Sequence, residues 1–355
     1  MGQRAKAGTL VVELVKLAVP TLQEAERHAP RTGPGDKPVI PDWVMAALIM
    51  IALMHKKKTK SAQFRFLSER RPLIATWLGR DEFPSRATYF RRYRRAQRLY
   101  REAVRLQGQQ AIAEGIADPR HVAVDKSLIE ALGPPWHARD RHRGKRPAGV
   151  DVESGWGYSE HHGWVNGFSF EVVVSATSNS LVFPLLASAD AANASEVQTF
   201  ETKIAELPPA TRTVCADSAY DANRLGEQVE YDDRGQRTGR RFLFPENPRH
   251  GSRPKLKPCH ADASRARSRQ RRAERKAYLS SRPGRAIYRR RSKSVEPFNQ
   301  WFKSLFELDR RVWHRGLDNN RTQILGAIFV YQLLVRYNYR HGNENACIRW
   351  IMDAL

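Results

Sequence analysis

"TVCADSAYDAN", residues 213–223, ends a short apolar run on a carboxylate, Asp217, with Ser218, Tyr220 and Asp221 close behind. A second run of the same kind, "HVAVD" (121–125), also stops on an aspartate, Asp125. Short β-branched runs read as strands, and an Asp at a strand end ordinarily makes a turn. These two lie in a chain with 61 Lys and Arg against 37 acids, a formal charge of +24. A carboxylate kept at a strand end in such a chain needs a further reason.

The sequence between them supports a sheet. "WGYSEHHGWVNGFSFEVVVSAT" reads as two strands joined by a Gly-containing turn that holds His161 and His162. Trp156, Trp164, Phe168 and Phe170 alternate as strand residues do. "SLVFPLLAS" follows, then "ASEVQTFETKIAEL" at helical spacing. Strands, a helix and another strand predict a mixed α/β domain. Beyond Asp217, "VEYDDRGQRTGRRFLF" (229–244) reads as a hairpin turning near Arg234-Gly235.

Outside this core the charge is uneven. Residues 1–118 read as helical, with Ser85 as an N-cap opening "RATYFRRYRRAQRLYREAVRLQ". Segment 56–106 holds 16 Lys/Arg against four acids. A basic helix after a short loop suggests a helix-turn-helix reader of DNA, with Arg91, Arg92 and Arg95 as contacts. Residues 249–293 carry 17 Lys/Arg and two acids, a block expected to stay mobile until a polyanion neutralises it. "LGPPWHARDRHRGKRP" (132–147) is a basic loop placed to line a DNA groove.

Several classes are excluded. Cys215, Cys259 and Cys347 are too scattered for a disulfide framework or a CxxC zinc site, which fits a reducing, cytoplasmic compartment. His137, His142, His161, His162 and His260 have no partner spacing for zinc. The apolar segments at 43–54 and 324–335 fall short of the roughly 20 residues a bilayer needs and read as buried helices.

The third acid lies in "SVEPFNQWFKSLF" (294–306). On a helix, Glu296, Asn299, Gln300 and Lys303 share one face, and Phe298, Trp301, Phe302 and Leu305 form the apolar other. Three carboxylates converging in a basic protein are an electrostatic liability unless cations sit among them. Mg²⁺ suits that role, being hard, oxygen-seeking and able to share carboxylates with a substrate phosphate. Two such ions about 4 Å apart stabilise the attacking and leaving oxygens of an in-line phosphoryl displacement.

With these motifs in order, the chain resembles bacterial insertion-sequence transposases of the DDE type, in the group with a Tyr-Arg-Glu-Lys motif. Asp125 in "VAVDKSLIEA" matches the first aspartate and Asp217 in "ADSAYDAN" the second, with Tyr220 and Asp221 fitting an Ala-Asp-x-x-Tyr-Asp pattern. Glu296 and Lys303 in "YRRRSKSVEPFNQWFK" keep the family spacing. Tyr288 and Arg291 are the counterparts of its Tyr and Arg, each one position early, and Arg289 and Ser292 hold the strict positions.

The resemblance implies an RNase H-like catalytic domain over 119–345, after a helical DNA-binding region at 1–118 and with a basic insertion at 229–293. It implies Asp125, Asp217 and Glu296 as catalytic and metal-holding residues, with two Mg²⁺ ions or Mn²⁺ in their place. Lys303, Tyr288, Arg291 and Arg289 are expected at DNA. The implied partners are terminal inverted repeats and target DNA, bound as a homodimer, with no membrane. Alternatives are an RNase H-like nuclease or resolvase without strand transfer, and a DNA-binding descendant that has lost catalysis; all three acids remain.

Overall fold

The computed structural model describes residues 7–29, 38–160, 162–178, 180–247, 263–343 and 347–355. Six helices come first: α1 (Ala7–His28), α2 (Asp42–Met54), α3 (Lys60–Glu69), α4 (Arg71–Leu78), α5 (Arg86–Tyr93) and α6 (Ala96–Ala113). Every residue of α2 from Trp43 to Met54 is buried, as expected of a helix apolar on all sides. Among the described residues no helix is long and apolar enough to cross a membrane. Ser85 caps α5, its hydroxyl accepting from the Thr88 amide. The single helix expected from residue 86 is broken at Arg94-Arg95. Arg92 is the reason the turn is anchored: its guanidinium reaches back to the Ile40 carbonyl and to Asp42.

The sheet has six strands: β1 (His121–Glu130), β2 (Gly155–Ser159), β3 (Gly163–Ser175), β4 (Pro184–Ala191), β5 (Thr213–Cys215) and β6 (Arg241–Leu243). The order is β2-β3-β1-β5-β6, with β4 also paired to β3. β3 runs antiparallel to β1, β2 and β4, whereas β1, β5 and β6 are mutually parallel. This is the mixed α/β class expected. A helix α7 (Ala138–His142) lies in the loop after β1, and α8 (Glu196–Glu201) follows β4.

Two expectations about the strands are corrected. β1 does not stop at Asp125 but pairs with β3 as far as Glu130↔Gly167. Lys126 looks like a stop only in sequence; its ammonium is satisfied by the Ala192 and Ala194 carbonyls. The hairpin at 229–244 is absent. Its start belongs to α9 (Asn223–Glu230), which buries Leu225 and Val229 four apart on one face. Tyr231 and Arg237 form a lone bridge, and β6 then pairs parallel to β5.

The basic run is helical where it is described, in α10 (Ala263–Ser280) and α11 (Arg282–Tyr288), and leads into α12 (Arg290–Leu305). Its charge is not all free: Arg271 is buried, and Arg272 and Arg275 lie 3.7 and 3.9 Å from Asp221. The Arg275 guanidinium also covers the Phe244 ring at 3.7 Å. Cys259 and His260 lie outside the described residues.

The long α13 (Leu317–Arg340), followed by α14 (Arg349–Ala354), is buried from Thr322 to Asn338. A single hydrophobic core joins the N-terminal helices, α13 and the sheet. Two glycines allow the closest approaches. A Cβ on Gly108 of α6 would stand 2.7 Å from the Leu185 carbonyl oxygen of β4, and one on Gly326 of α13 would stand 2.7 Å from Leu53.

Candidate active site

Asp125 leaves β1 on the face covered by α12. In β1 side chains alternate, so Asp125 and Ser127 share that face while Lys126 takes the other. Phe302 of α12 packs edge-on against Phe170, the β3 partner of Ser127, at 5.1 Å. Together with buried Val295, Phe298 and Leu305, this contact fixes the turn of α12 that faces Asp125. Trp301, expected on the apolar face, is instead 50% exposed and carries the Arg349 guanidinium over its ring. It lies at the edge of the stripe, where that cation covers it.

Asp217 follows β5 by two residues and N-caps a short turn, its carboxylate accepting from the Ala219 amide at 2.9 Å. Tyr288 ties α11 to the same place, donating to the Ala216 carbonyl at 3.1 Å. Burial pushes the Tyr288 phenol up to about 12.

The three acids meet at one guanidinium. Arg291 donates to Asp125 at 2.9 Å and to Glu296 at 3.2 Å, and its Nη2 lies 3.8 Å from Asp217. Asp125 is the most enclosed of the three, with 15% of its side chain exposed against 39% for Asp217 and 54% for Glu296. Burial raises the Asp125 carboxyl to about 7; Arg291 opposes that rise, and Asp217 and Glu296 add to it. Lys303 donates to the Leu128 carbonyl at 2.7 Å, and burial brings its ammonium down to about 8 although Asp125 favours the charged form.

The structure therefore brings together Asp125, Asp217, Glu296, Arg291, Lys303 and Tyr288. Arg289 is exposed at the start of α12. Arg91 and Arg95 are exposed on the N-terminal helices, whereas Arg92 is buried and engaged with Asp42. No three His, Cys, Asp or Glu side chains among the described residues close on a point that could hold a metal ion; Arg291 stands between the acids. His137 packs on the Trp156 ring at 5.2 Å, an ordinary aromatic contact.

Sequence reasoning missed the groups beneath and beside this centre. Glu171 of β3, 1% exposed, accepts from Lys203 at 2.8 Å and from Tyr220 at 2.9 Å. Lys203 also donates to Ser188 and to the Thr199 carbonyl. This buried network holds the Tyr220 side of the loop that carries Asp217. Glu196, at the start of α8, lies 4.0 Å from Lys126; burial and then the Asp217 charge raise its carboxyl to about 7. An isolated Glu in a valine-rich strand was the available signal for Glu171, since a buried carboxylate demands a partner.

The sequence matches the family described as "Transposase DDE domain" over residues 116–333. No curated protein matches the chain. A solved structure titled "Cryo-EM structure of piggyBac transposase synaptic complex with hairpin DNA" aligns with a TM-score of 0.36 and 10% identity, over 99% of this chain and 79% of that one. With the family matched across most of its length and both aspartates and the glutamate inside the matched span, the chain belongs to the DDE transposase domain family.

Proposed function

We propose that the chain is the transposase of an insertion sequence, binding terminal inverted repeats as a homodimer, cutting at the element's ends and joining the freed 3′-hydroxyls to target DNA. The observation that carries this reading is the convergence of Asp125, Asp217 and Glu296 on Arg291, from three segments far apart in sequence. Both steps are in-line attacks on phosphorus: water is the nucleophile in the first and a 3′-hydroxyl in the second. One set of groups can serve both.

The donor set fits a hard divalent cation. It consists of carboxylate oxygens alone, and Asp125, raised first by burial and then by Asp217 and Glu296 against the opposing Arg291, is a carboxylate that a cation would stabilise. Asp125, Asp217 and Glu296 would hold Mg²⁺, two ions in the full site, once the guanidinium has moved aside. When bound, the metal supplies Lewis-acid stabilisation of the oxygens around phosphorus. Arg291, displaced, is a bidentate donor of the geometry that phosphate accepts. Lys303, its ammonium brought down to about 8 by burial, stays beneath Asp125 and supports the strand by its bond to Leu128. Exposed bases of α10 and α11, with Arg289, Arg91 and Arg95, supply the sequence-independent grip on the DNA backbone.

The test is purified protein with Mg²⁺ and DNA carrying the ends that flank its own gene. Cleavage at those ends followed by joined product supports the reading. Cleavage without joining favours a nuclease of the same fold, and binding without either favours a descendant that has lost catalysis.

A further inference from the structure

Glu296, Asn299 and Lys303 lie three and four residues apart on α12 and so stack on one helical face. The outer two belong to the family's motif; Asn299 between them does not. Its Nδ2 donates to Asp125 Oδ2 at 2.9 Å, while Arg291 takes the other oxygen, Oδ1, also at 2.9 Å. Asn299 is only 8% exposed, and its Oδ1 is buried with no hydrogen-bond partner among the described residues.

Each of these facts is costly without a function. Asn is a poor mid-helix residue because its side chain competes for backbone bonds. An orphan buried carbonyl is disfavoured as well. In the ionised form of Asp125, the one that can hold a cation, the amide cannot turn to relieve this: the carboxylate only accepts, so Nδ2 faces it and Oδ1 faces away. The residue type is selective too. A Lys or Arg here would add a second cation to compete for the site, an Asp would add repulsion against Asp125, and an apolar side chain would leave Asp125 free to rotate. A neutral donor that also offers an acceptor meets all three constraints.

We propose that Asn299 is a positioning residue of the catalytic centre: its amide pins one oxygen of Asp125, and its orphan carbonyl accepts a hydrogen bond from a water that arrives with the divalent cation. This rests on the reading of Asp125, Asp217 and Glu296 as the metal-holding acids. Mg²⁺ keeps several of its waters when bound by protein, and those waters need acceptors. Hydrogen-bond partners of ligating carboxylates typically change metal affinity or activity 10- to 100-fold when removed. Arg291 must let go of Asp125 for the site to load, so Asn299 is the contact that keeps the carboxylate aimed throughout.

The experiment is a Mn²⁺ titration of the full chain, reading free Mn²⁺ by electron paramagnetic resonance, for wild type, Asn299→Ala, Asn299→Leu and the exposed helix neighbour Gln300→Ala. Asn299→Leu keeps the branched shape with a strong helix former, so it serves even if the alanine variant folds poorly. The expected result is a loss of affinity of about 10- to 100-fold in both Asn299 variants and none in Gln300→Ala. Metal-free melting should shift only modestly, because loss of the bond to Asp125 is offset by removal of the orphan carbonyl and by better helix propensity, and end-DNA binding should stay close to wild type. End cleavage by the Asn299 variants should recover toward the wild-type rate as metal is raised, because the defect lies in loading. An Mn²⁺ affinity within twofold of wild type overturns the proposal, as does a loss confined to melting temperature. Failure of wild type to bind Mn²⁺ at all overturns the three-acid reading beneath it, a distinct outcome.

Discussion

Replacing Arg291 with Ala removes the one cation that touches all three acids. Only the Asp125 pair is enclosed, with side chains 13% and 15% exposed, so it carries nearly all the energy. Two unit charges about 4 Å apart attract by on the order of 4 kcal/mol at an effective dielectric near 20. Stripping one partner from a buried pair typically costs about 3–5 kcal/mol. The Asp217 and Glu296 contacts are more than a third exposed and add little, together below about 1 kcal/mol. The expected loss is therefore roughly 3 kcal/mol near pH 8. That loss depends on pH. Asp125 has a folded pKa of about 7, above its ordinary value of 3.8, so between these the folded state binds more protons than the unfolded and stability falls as pH rises. Without Arg291 the carboxyl moves higher still, and the variant loses further stability at pH where wild type has stopped losing it. Urea unfolding from pH 5 to pH 8.5 should show the two proteins nearly equal at the acid end and diverging upward. Millimolar Mn²⁺ should restore the variant more than it stabilises wild type, since no guanidinium has to leave. A gap that is the same at pH 5 and pH 8.5, with no metal rescue, would refute Arg291 as the countercharge of the site.

Asp125→Asn, Asp217→Asn and Glu296→Gln should each abolish end cleavage while end binding persists, measured by gel assays on one DNA; near-normal cutting by any of them removes that residue from the centre. Replacing Arg269, Lys276, Arg282, Arg285, Arg289 and Lys293 with Gln should flatten the slope of log affinity against log salt by roughly five units if all six touch phosphate. An unchanged slope would move the DNA-binding surface off α10, α11 and the start of α12. Lys203→Met leaves Glu171 buried without its cation and should cost about 3–5 kcal/mol by urea melts. Tyr220→Phe should cost about 1–3 kcal/mol, as loss of one bond to a buried charge does.

The acids were legible because each stands against its surroundings: two carboxylates follow β-branched runs, and a third shares a helix face with a lysine two turns on. The sheet class followed from the apolar runs. What stayed hidden was set by tertiary partners. The carbonyls of Ala192 and Ala194 let β1 run through Lys126, and nothing near residue 126 announces them. Arg92 reads like its neighbours in "RRYRR", yet Asp42, fifty positions earlier, draws it inside. The basic run looked unable to pack because its own acids are few. Asp221 and the Phe244 ring, outside the run, are what Arg272 and Arg275 settle on. Arg291 was marked as a DNA contact from its motif, and only the folded geometry puts it among the acids.

The 166 positions that separate Asp125 from Arg291 also order events in time. At about 5–20 residues per second, roughly ten to thirty seconds of synthesis pass between the two. For that interval the emerging chain holds its aspartates without the cation that later calms them, and without the glutamate that completes the set. β1 can pair with β3 and bury much of the sheet, but the three acids do not converge until α12 docks. On the proposed function, a truncated or half-made chain would lack the assembled acids and could not cut DNA. The last acid of the proposed centre thus arrives on the same helix as the arginine that joins all three.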